Sequence, residues 1–347
     1  MSDRYLWDKG EPADPEIERL ERLLSRYQYG DRPLDLPEGM PVAKPARRSG
    51  ATVTLRWVAA AAMIGLVAFG GWWMTETRSW RIAATSGRPA VGERELHGRG
   101  RVALGQWITT DGGSSARLEV GRIGFVTIAP NSRLKVMHRE GEVHRLALQR
   151  GALEAVILAP PRQFVVDTPS ATAVDLGCIY DLEVDERGEG SLTVVVGWVS
   201  FESHGRESFV PAGATCTTSP GRGPGTPHFT DAAPALKNAL FEVDRAGANA
   251  TDASLAGVNA LAEVLAAARR QDAFTLWHLL VRLDGANRAA VYDRLAVLVP
   301  PPASVTREGA IAGDRAMLDD WWDALGLGLT KDWRRWKGPD PAEHRPG

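Results

Sequence analysis

The sequence predicts a mixed, multidomain chain in which a single transmembrane helix precedes an all-β domain and an α-helical C-terminal domain. Three observations support this fold class: a charge-free apolar run at residues 57–74, a long region with a hydrophobic period of two, and a final region with apolar residues three or four positions apart. The predicted segments are an amphipathic arm at 1–30, a Pro-rich basic tether at 31–56, a membrane span at 57–75, a β domain at 76–218, a Gly/Pro linker at 219–233, and helices with a Trp-rich tail at 234–347.

The overall composition excludes several classes of protein. The chain has 347 residues, of which 24% are charged and 44% hydrophobic, and its formal net charge is −2. A polytopic membrane protein would be more apolar, and a wholly disordered chain would be less so. A near-neutral charge argues against a general nucleic-acid-binding protein, so we expect no direct contact with nucleic acid. Two cysteines exclude a disulfide-dense scaffold and a four-thiolate zinc site.

The N-terminal arm contains one amphipathic helix. Asp14 suits the N-cap position and Pro15 suits the first helical position. One face of this helix carries apolar residues, namely Ile17, Leu20, Leu23, Leu24 and Tyr27. An isolated short helix is only marginally stable in water, so the apolar stripe predicts a partner-binding surface. The alternative is a helix that lies on a membrane surface.

The apolar run predicts an uncleaved signal anchor. Its eighteen residues would rise about 27 Å as a helix, close to the ~30 Å hydrocarbon core of a bilayer. Trp57, Trp72 and Trp73 lie at its ends, where aromatic rings favour the lipid–water interface. A buried core helix is the alternative. Positive charges are almost equally frequent on the two sides, so charge alone leaves the orientation open.

From about residue 91 to residue 218, the hydrophobic period changes to two. Two examples are Ala116-Leu118-Val120 and Leu153-Ala155-Ile157. Gly, Pro, Asn and Asp interrupt this pattern at short intervals. It predicts many short strands in an all-β sandwich, barrel or solenoid, and periodicity alone does not choose among these architectures.

The order of motifs in this region resembles the FecR domain. The matching stretches are GRGRVALGQWITTDGGSSARLEV, IGFVTIAPNSRLKV, LQRGALEAVI, FVVDTPSATAVDLGCIYDLEV, LTVVVGWVSFES and VPAGATCTTSPG. The most specific parts are Thr168-Pro169, the β-run into Gly177, and Val196-Gly197-Trp198-Val199. Because all six stretches occur in the order typical of the family, the region is identified as FecR-like.

The resemblance implies a right-handed β-solenoid-like fold and a role in signalling. In the family, a short cytoplasmic segment binds an extracytoplasmic-function sigma factor, and the FecR domain senses an envelope partner in the periplasm. The resemblance therefore implies a bacterial inner-membrane protein with a cytoplasmic N-terminus and a periplasmic C-terminal bulk. The sequence has Gly177-Cys178 where the family usually has Gly-Thr. Its first 50 residues also lack the usual Trp-containing helical anti-sigma signature.

The C-terminal region changes to helical spacing after the linker. The predicted helices are ALKNALFEVDRA, LAGVNALAEVLAAARR, AFTLWHLLVRL, RAAVYDRLAVLV and, after three prolines, RAMLDDWWDALG. We expect antiparallel helix pairs around a small core. That core would include the stripe Phe274, Trp277, Leu280 and Val281. The tryptophans Trp321, Trp322, Trp333 and Trp336 predict a docking or membrane-interface face.

Few residues are candidates for chemistry. Cys178 and Cys216 lie in the predicted extracytoplasmic β region, where a disulfide is possible, and two separate buried thiols are the alternative. The chain has no nucleophile elbow, His-Glu-x-x-His motif, dinucleotide fingerprint or phosphate loop. The sequence therefore predicts no enzyme activity, no cofactor and no metal site.

Together these features predict a single-pass inner-membrane signal-transduction regulator of FecR type. The resemblance implies that it would control an extracytoplasmic-function sigma factor in response to an envelope signal. Its partners would be a sigma factor or another cytoplasmic protein, bound through the arm, and a periplasmic or outer-membrane protein. The alternative is an envelope scaffold, or a glycan- or protein-binding module anchored by one transmembrane helix, without sigma-factor control. The missing anti-sigma signature favours this alternative.

Overall fold

The computed structural model describes residues 79–137, 143–203, 205–246 and 255–328, all within one compact unit of the chain. In this part, a β domain of short strands is followed by a group of helices. The buried side chains of both form one continuous hydrophobic cluster. The helices therefore share their core with the β domain.

The elements are numbered in chain order. The strands are β1 (Ser79–Ser86), β2 (Ala90–Val91), β3 (Arg94–Glu95), β4 (Arg99–Ala103), β5 (Trp107–Thr109), β6 (Ser115–Val120), β7 (Gly124–Ile128), β8 (Arg133–Val136), β9 (His144–Ile157), β10 (Phe164–Asp167), β11 (Thr172–Asp175), β12 (Ile179–Val184), β13 (Gly190–Val196), β14 (Trp198–Ser203), β15 (Arg206–Pro211), β16 (Ala214–Ser219), β17 (Gly223–Pro224) and β18 (His228–Phe229). The helices are α1 (Pro234–Ala246), α2 (Leu255–Ala267), α3 (Ala273–Arg282), α4 (Gly285–Leu298), α5 (Arg307–Ala312) and α6 (Arg315–Ala324).

The strands pair in two sheets that share β9. The first sheet has the order β4-β1-β6-β7-β9-β12-β13-β16, and β17 and β18 pair with β16. The second sheet has the order β3-β2-β5-β8-β9-β10-β11-β14-β15. The chain passes back and forth between the sheets and contributes one to three strands at each visit.

Strand β9 passes from one sheet to the other. Its first half pairs with β8 and β10 in the second sheet, and its second half pairs with β7 and β12 in the first. The buried positions are His144, Leu146 and Leu148 before the crossing and Leu153, Ala155 and Ile157 after it. The buried residues therefore change from even to odd numbers. Gly151, with a φ of +88°, lies where this change occurs.

Alternating burial explains why the other strands form where they do. In β6, Ala116, Leu118 and Val120 are buried and the residues between them are exposed or half-buried. A period of two places every second side chain on the inner face of a sheet. The predicted strand pattern is thus present, and it places the core between the inner faces of the two sheets.

The implied right-handed β-solenoid is not what the structure shows. Coils of such a solenoid pair as parallel strands, whereas the strand pairs described here are antiparallel, except for β9 with β10. The connections favour this arrangement, because antiparallel strands can be joined by tight hairpins and parallel strands cannot. Examples are the turns between β6 and β7 and between β12 and β13.

A further correction concerns the transmembrane helix in the predicted fold class. In the part of the chain that the structure describes, no helix is long and apolar enough to cross a membrane. The longest of these helices, α4, has 14 residues, whereas a spanning helix needs about 20. The predicted span at 57–75 lies outside the described residues, as do the arm at 1–30 and the tether at 31–56.

The predicted linker at 219–233 contributes to the first sheet. It holds β17 and β18, which pair with β16, and it leads directly into α1. The rings of Phe229 and Phe274 then meet at 4.7 Å between the sheet and α3. The helical region therefore packs against the β domain through α3.

The helices pack in sequential pairs, α1 with α2 and α3 with α4, while α6 lies against α3. Phe274, Trp277 and Leu280 are buried as predicted, and Val281 is 41% exposed. Trp321 and Trp322, predicted to form an exposed face, are 0% exposed. Each has a partner that satisfies its indole N–H, because Trp321 donates to the Val299 carbonyl and Trp322 to the Gly328 carbonyl. Trp333 and Trp336 lie outside the described residues.

Candidate functional site

A groove lined by arginines lies on the outer face of the first sheet. It has a volume of about 990 Å³ and is bordered by β1, β4, β6 and β7. Its charged side chains are those of Arg81, Arg99, Arg101, Arg117, Arg122 and Glu119. We call this surface the arginine groove. Five guanidinium groups and one carboxylate give it a strong positive charge.

The strand register brings these arginines together. Arg81 on β1 lies directly opposite Arg101 on β4. Ala83, two residues further along β1, lies between Arg99 on β4 and Arg117 on β6. Like charges directly opposite on neighbouring strands destabilise a sheet. The arrangement therefore costs folding free energy, and a binding role on this face is a physical reason to retain it.

Local contacts position one of these guanidinium groups firmly and a second one only weakly. Arg117 lies over the ring of Phe125, with its guanidinium carbon 3.4 Å from the ring centroid. Arg81 is 3.9 Å from Glu119, but the two side chains are 74% and 58% exposed, so this pair is weak. An arginine that stacks on an aromatic ring keeps its N–H groups available at the ring edge. The groove thus offers several partly ordered donors to an anionic partner.

Sequence reasoning did not identify the arginine groove. The signal was present as arginines two positions apart, at Arg99 and Arg101, and as Arg117 and Glu119 on either side of the buried Leu118. A period of two with basic residues on the polar face marks one charged side of a strand. Only the pairing of β4, β1 and β6 shows that these sides are neighbours.

The site residues predicted from the sequence have different outcomes. The apolar stripe of Ile17, Leu20, Leu23, Leu24 and Tyr27 lies outside the described residues. Cys178 and Cys216 are both buried, and both are free thiols. The Cys178 thiol donates to Asp175 Oδ2 at 2.6 Å, and the Cys216 thiol donates to the Gly225 carbonyl at 3.2 Å. The structure therefore contains no disulfide between these two residues.

Both thiols are held in their protonated form. Burial raises the pKa of Cys178, and the nearby charge of Asp175 raises it further. Burial raises the pKa of Cys216 to about 12. Since the thiolate is the nucleophilic form of cysteine, neither side chain is suited to thiolate chemistry.

A buried carboxyl group lies at the end of β11, in the stretch that resembles the FecR motif. Asp175 is 1% exposed. Its Oδ1 accepts the backbone N–H of Gly177 at 2.7 Å, and its Oδ2 accepts the Cys178 thiol. Burial raises the pKa of Asp175 to about 6, although these hydrogen bonds favour the charged form. The β11–β12 turn therefore contains a carboxyl group that is costly to ionise.

Asp175 should make the stability of the protein depend on pH. Because its pKa rises from 3.8 in the unfolded chain to about 6 in the fold, the folded state binds a proton more strongly between these values. Stability should be highest when this group is protonated in both states, decrease as the pH rises from about 4 to about 6, and stay lower above that range, by on the order of 3 kcal/mol. Replacement of Asp175 by asparagine should raise the free energy of unfolding near neutral pH and flatten its dependence on pH, as measured by urea unfolding.

The exposed residue Asp284 provides the control for this measurement. Asp284→Asn changes the same chemical group at an exposed position outside the β domain and should leave the slope of stability between about pH 4 and pH 6 as it is in the unmodified protein. A parallel slope in Asp175→Asn and the unmodified protein would show that the buried carboxyl group does not titrate in this range.

The fold and its charged face define a two-sheet β-domain protein with an arginine-lined outer face and a helical extension. The family model described as FecR protein matches residues 106–200, which run from just before β5 into β14. This part of the chain therefore matches the FecR family, which confirms the resemblance drawn from its motifs.

Comparison with solved structures gives a weaker similarity. Two crystal structures of a protein from Parabacteroides distasonis, provisionally described as an anti-sigma factor, match at 13% identity and a TM-score of 0.32. The match covers 39% of this chain and 64% of the solved chain. This chain thus spans less than two thirds of the length of the protein it matches. No curated protein matches the sequence.

Proposed function

We propose that this FecR-domain protein is a signal-transduction regulator that binds an extracytoplasmic-function sigma factor through its N-terminal arm. The observation that carries the proposal is the FecR domain at residues 106–200. The apolar stripe of the arm supports it, because a short amphipathic helix gains most of its stability from a partner.

We also propose that the described domain faces the bacterial periplasm and receives the signal there. The arginine groove favours a partner with an acidic surface, because it is lined by five guanidinium groups and only one carboxylate. Charge complementarity of this kind speeds association and selects the correct partner. In this proposal, binding at the groove changes the affinity of the N-terminal arm for the sigma factor.

A two-hybrid screen of the full chain against the sigma factors of its source bacterium tests the first proposal. We expect one extracytoplasmic-function sigma factor to bind. Leu20→Asp and Leu24→Asp should abolish that binding, because each places a charge in the apolar stripe. Ser25→Asp, which adds the same charge off the stripe, is the matched control. If none of these sigma factors binds, the proposal is wrong and a scaffold or binding module without sigma-factor control takes its place.

Reversal of charge in the arginine groove should separate signalling from stability. The double variant Arg99→Glu and Arg101→Glu replaces the Arg81–Arg101 like-charge pair with an opposite-charge pair. The free energy of unfolding should stay the same or rise by up to about 1 kcal/mol. Transcription from a promoter of the sigma factor found in the screen should no longer respond to the envelope signal.

The exposed Arg94→Glu, on β3 and outside the groove, is the control for charge reversal. It should leave the response intact. A normal response in the double variant would show that the partner binds elsewhere.

A further inference from the structure

A second concave site lies between the β domain and the helices. It is a cleft of about 500 Å³ bordered by β15, α3, the start of α4 and the segment from Gly313 into α6. Its apolar wall includes Phe209, Trp277 and Leu318. Sites for small ligands typically have this size, an apolar lining and a few placed polar groups.

The charged wall of the cleft holds more cations than anions. Four arginines line it, Arg206, Arg282, Arg288 and Arg315, together with two acids, Glu207 and Asp319. The Arg282 side chain is only 9% exposed. Its guanidinium donates to Thr226 Oγ1, the Glu207 carbonyl and Ser208 Oγ. These neutral acceptors fix the position of the guanidinium but do not balance its charge.

One carboxylate serves two of these arginines. Asp244 Oδ1 lies 3.0 Å from Arg206 and 3.9 Å from Arg282. Asp244 also accepts the backbone N–H and the hydroxyl of Thr226, at 2.6 and 2.8 Å. The Asp244 carboxylate therefore has little remaining capacity to accept, and the cluster of two guanidinium groups and one carboxylate keeps a net positive charge.

Two further observations bear on this excess of positive charge. Nε of Arg206 is buried and has no hydrogen-bond partner among the described residues. Arg288 donates to two uncharged groups, the carbonyls of Leu283 and Ile311, at 2.5 and 3.0 Å. A buried donor without a partner is uncommon in folded proteins and calls for an explanation.

We propose that the cleft binds a small molecule in which an oxyanion, a phosphate or a carboxylate, is attached to a flat apolar body. Arg206 and Arg282 hold the oxyanion, since guanidinium groups match the geometry of such acceptors. Arg288 adds positive charge at the same cleft. Trp277, Phe209 and Leu318 contact the apolar body. The site is independent of the arginine groove and of sigma-factor control.

Titration calorimetry on the full chain tests this assignment. The probes are phenyl phosphate and benzoate, which have both parts, inorganic phosphate, which has only the charge, and phenol, which has only the ring. We expect phenyl phosphate or benzoate to bind at least about tenfold more tightly than inorganic phosphate and phenol. Equal binding of all four probes, or no saturable binding of any, would overturn the proposal.

Variants locate the site and separate binding from folding. Arg206→Gln and Arg288→Gln should each weaken binding of the tighter probe about tenfold or more. Arg206→Lys, which keeps the charge but loses the planar fork, should recover part of it. Arg307→Gln removes an arginine paired with Asp293 outside the cleft and is the matched control. Unchanged binding in both cleft variants would place the probe elsewhere and overturn the assignment, and thermal unfolding of each variant without probe confirms that it is folded.

Discussion

Replacement of Gly151 by alanine is expected to destabilise the β domain by about 4 kcal/mol or more, a large part of the stability of a typical domain. A Cβ added at Gly151 would lie 2.4 Å from the Cα of Ser132 and 2.3 Å from its Oγ. The backbone there is left-handed, with a φ of +88°, which costs an alanine further free energy. Because the clash involves a backbone atom, a side-chain rotation cannot relieve it.

The position of Gly151 makes this clash important for the whole fold. Gly151 lies where β9 leaves the second sheet and enters the first, and the Ser132 hydroxyl accepts the N–H of the next residue, Ala152. A displacement at this point disturbs the only strand that pairs in both sheets of the described structure. Urea unfolding followed by circular dichroism measures the effect.

Gly105→Ala is the matched control for the effect of backbone conformation. Gly105 has a φ of +84°, but nothing lies within 4 Å of a Cβ added there. It should cost only about 1 kcal/mol, the strain of a left-handed alanine. If the two variants lost similar stability, the close approach of Gly151 to Ser132 would not be a structural requirement.

The two-sheet fold was predictable only in part, and β9 shows why. The alternation at Leu153, Ala155 and Ile157 predicts a strand and correctly places these side chains in the core. The same rule, applied to the whole stretch, would turn Leu146 and Leu148 outward. The alternation instead changes phase at Gly151, and both halves of the strand bury their apolar residues. Periodicity describes each straight segment, but the choice of sheet depends on partners distant in sequence.

The candidate sites depend even more on distant partners. Arg81 and Arg101 are 20 positions apart in sequence and lie side by side only because β1 pairs with β4. Arg206 and Asp244 come from β15 and α1, and Arg282 comes from α3. None of these residues belongs to a local motif. The FecR resemblance was visible in the sequence because its motifs are local, at strand ends and turns.

The prediction that Trp321 and Trp322 form an exposed face was wrong, because both side chains are buried. Trp321 and Trp322 are adjacent, so a regular helix places their side chains about 100° apart, and one helix face cannot bury both. The structure buries both because α6 has neighbours on two sides. Trp321 packs edge-to-face against Tyr292 of α4, and Trp322 packs edge-to-face against Trp277 of α3 and Phe209 of β15.

Replacement of Trp322 by alanine should destabilise the protein by about 3–5 kcal/mol, the usual cost of removing a buried tryptophan. Trp322 is 0% exposed, and its ring centroid lies 4.7 Å from that of Trp277 and 5.7 Å from that of Phe209. The truncation removes contacts to a helix and to the β domain at the same time. Urea unfolding measures the loss. Phe241→Ala is the control, because Phe241 is 60% exposed on α1 and its truncation should cost little.

The shape of the unfolding curve tests whether the helices and the β domain unfold together. We expect that they do, because α6 and β15 share one hydrophobic cluster. If Trp322 couples the helices to the β domain, the unmodified protein unfolds in one cooperative transition. In Trp322→Ala this transition should separate into two, in which the helices unfold first and the β domain unfolds later. Near-ultraviolet circular dichroism follows the aromatic packing, and far-ultraviolet circular dichroism follows the secondary structure. Trp322→Phe keeps most of the packing and loses the indole bond to Gly328, so it should cost about 1 kcal/mol and keep a single transition. Two transitions already present in the unmodified protein would show that the helices and the β domain fold independently despite their shared core.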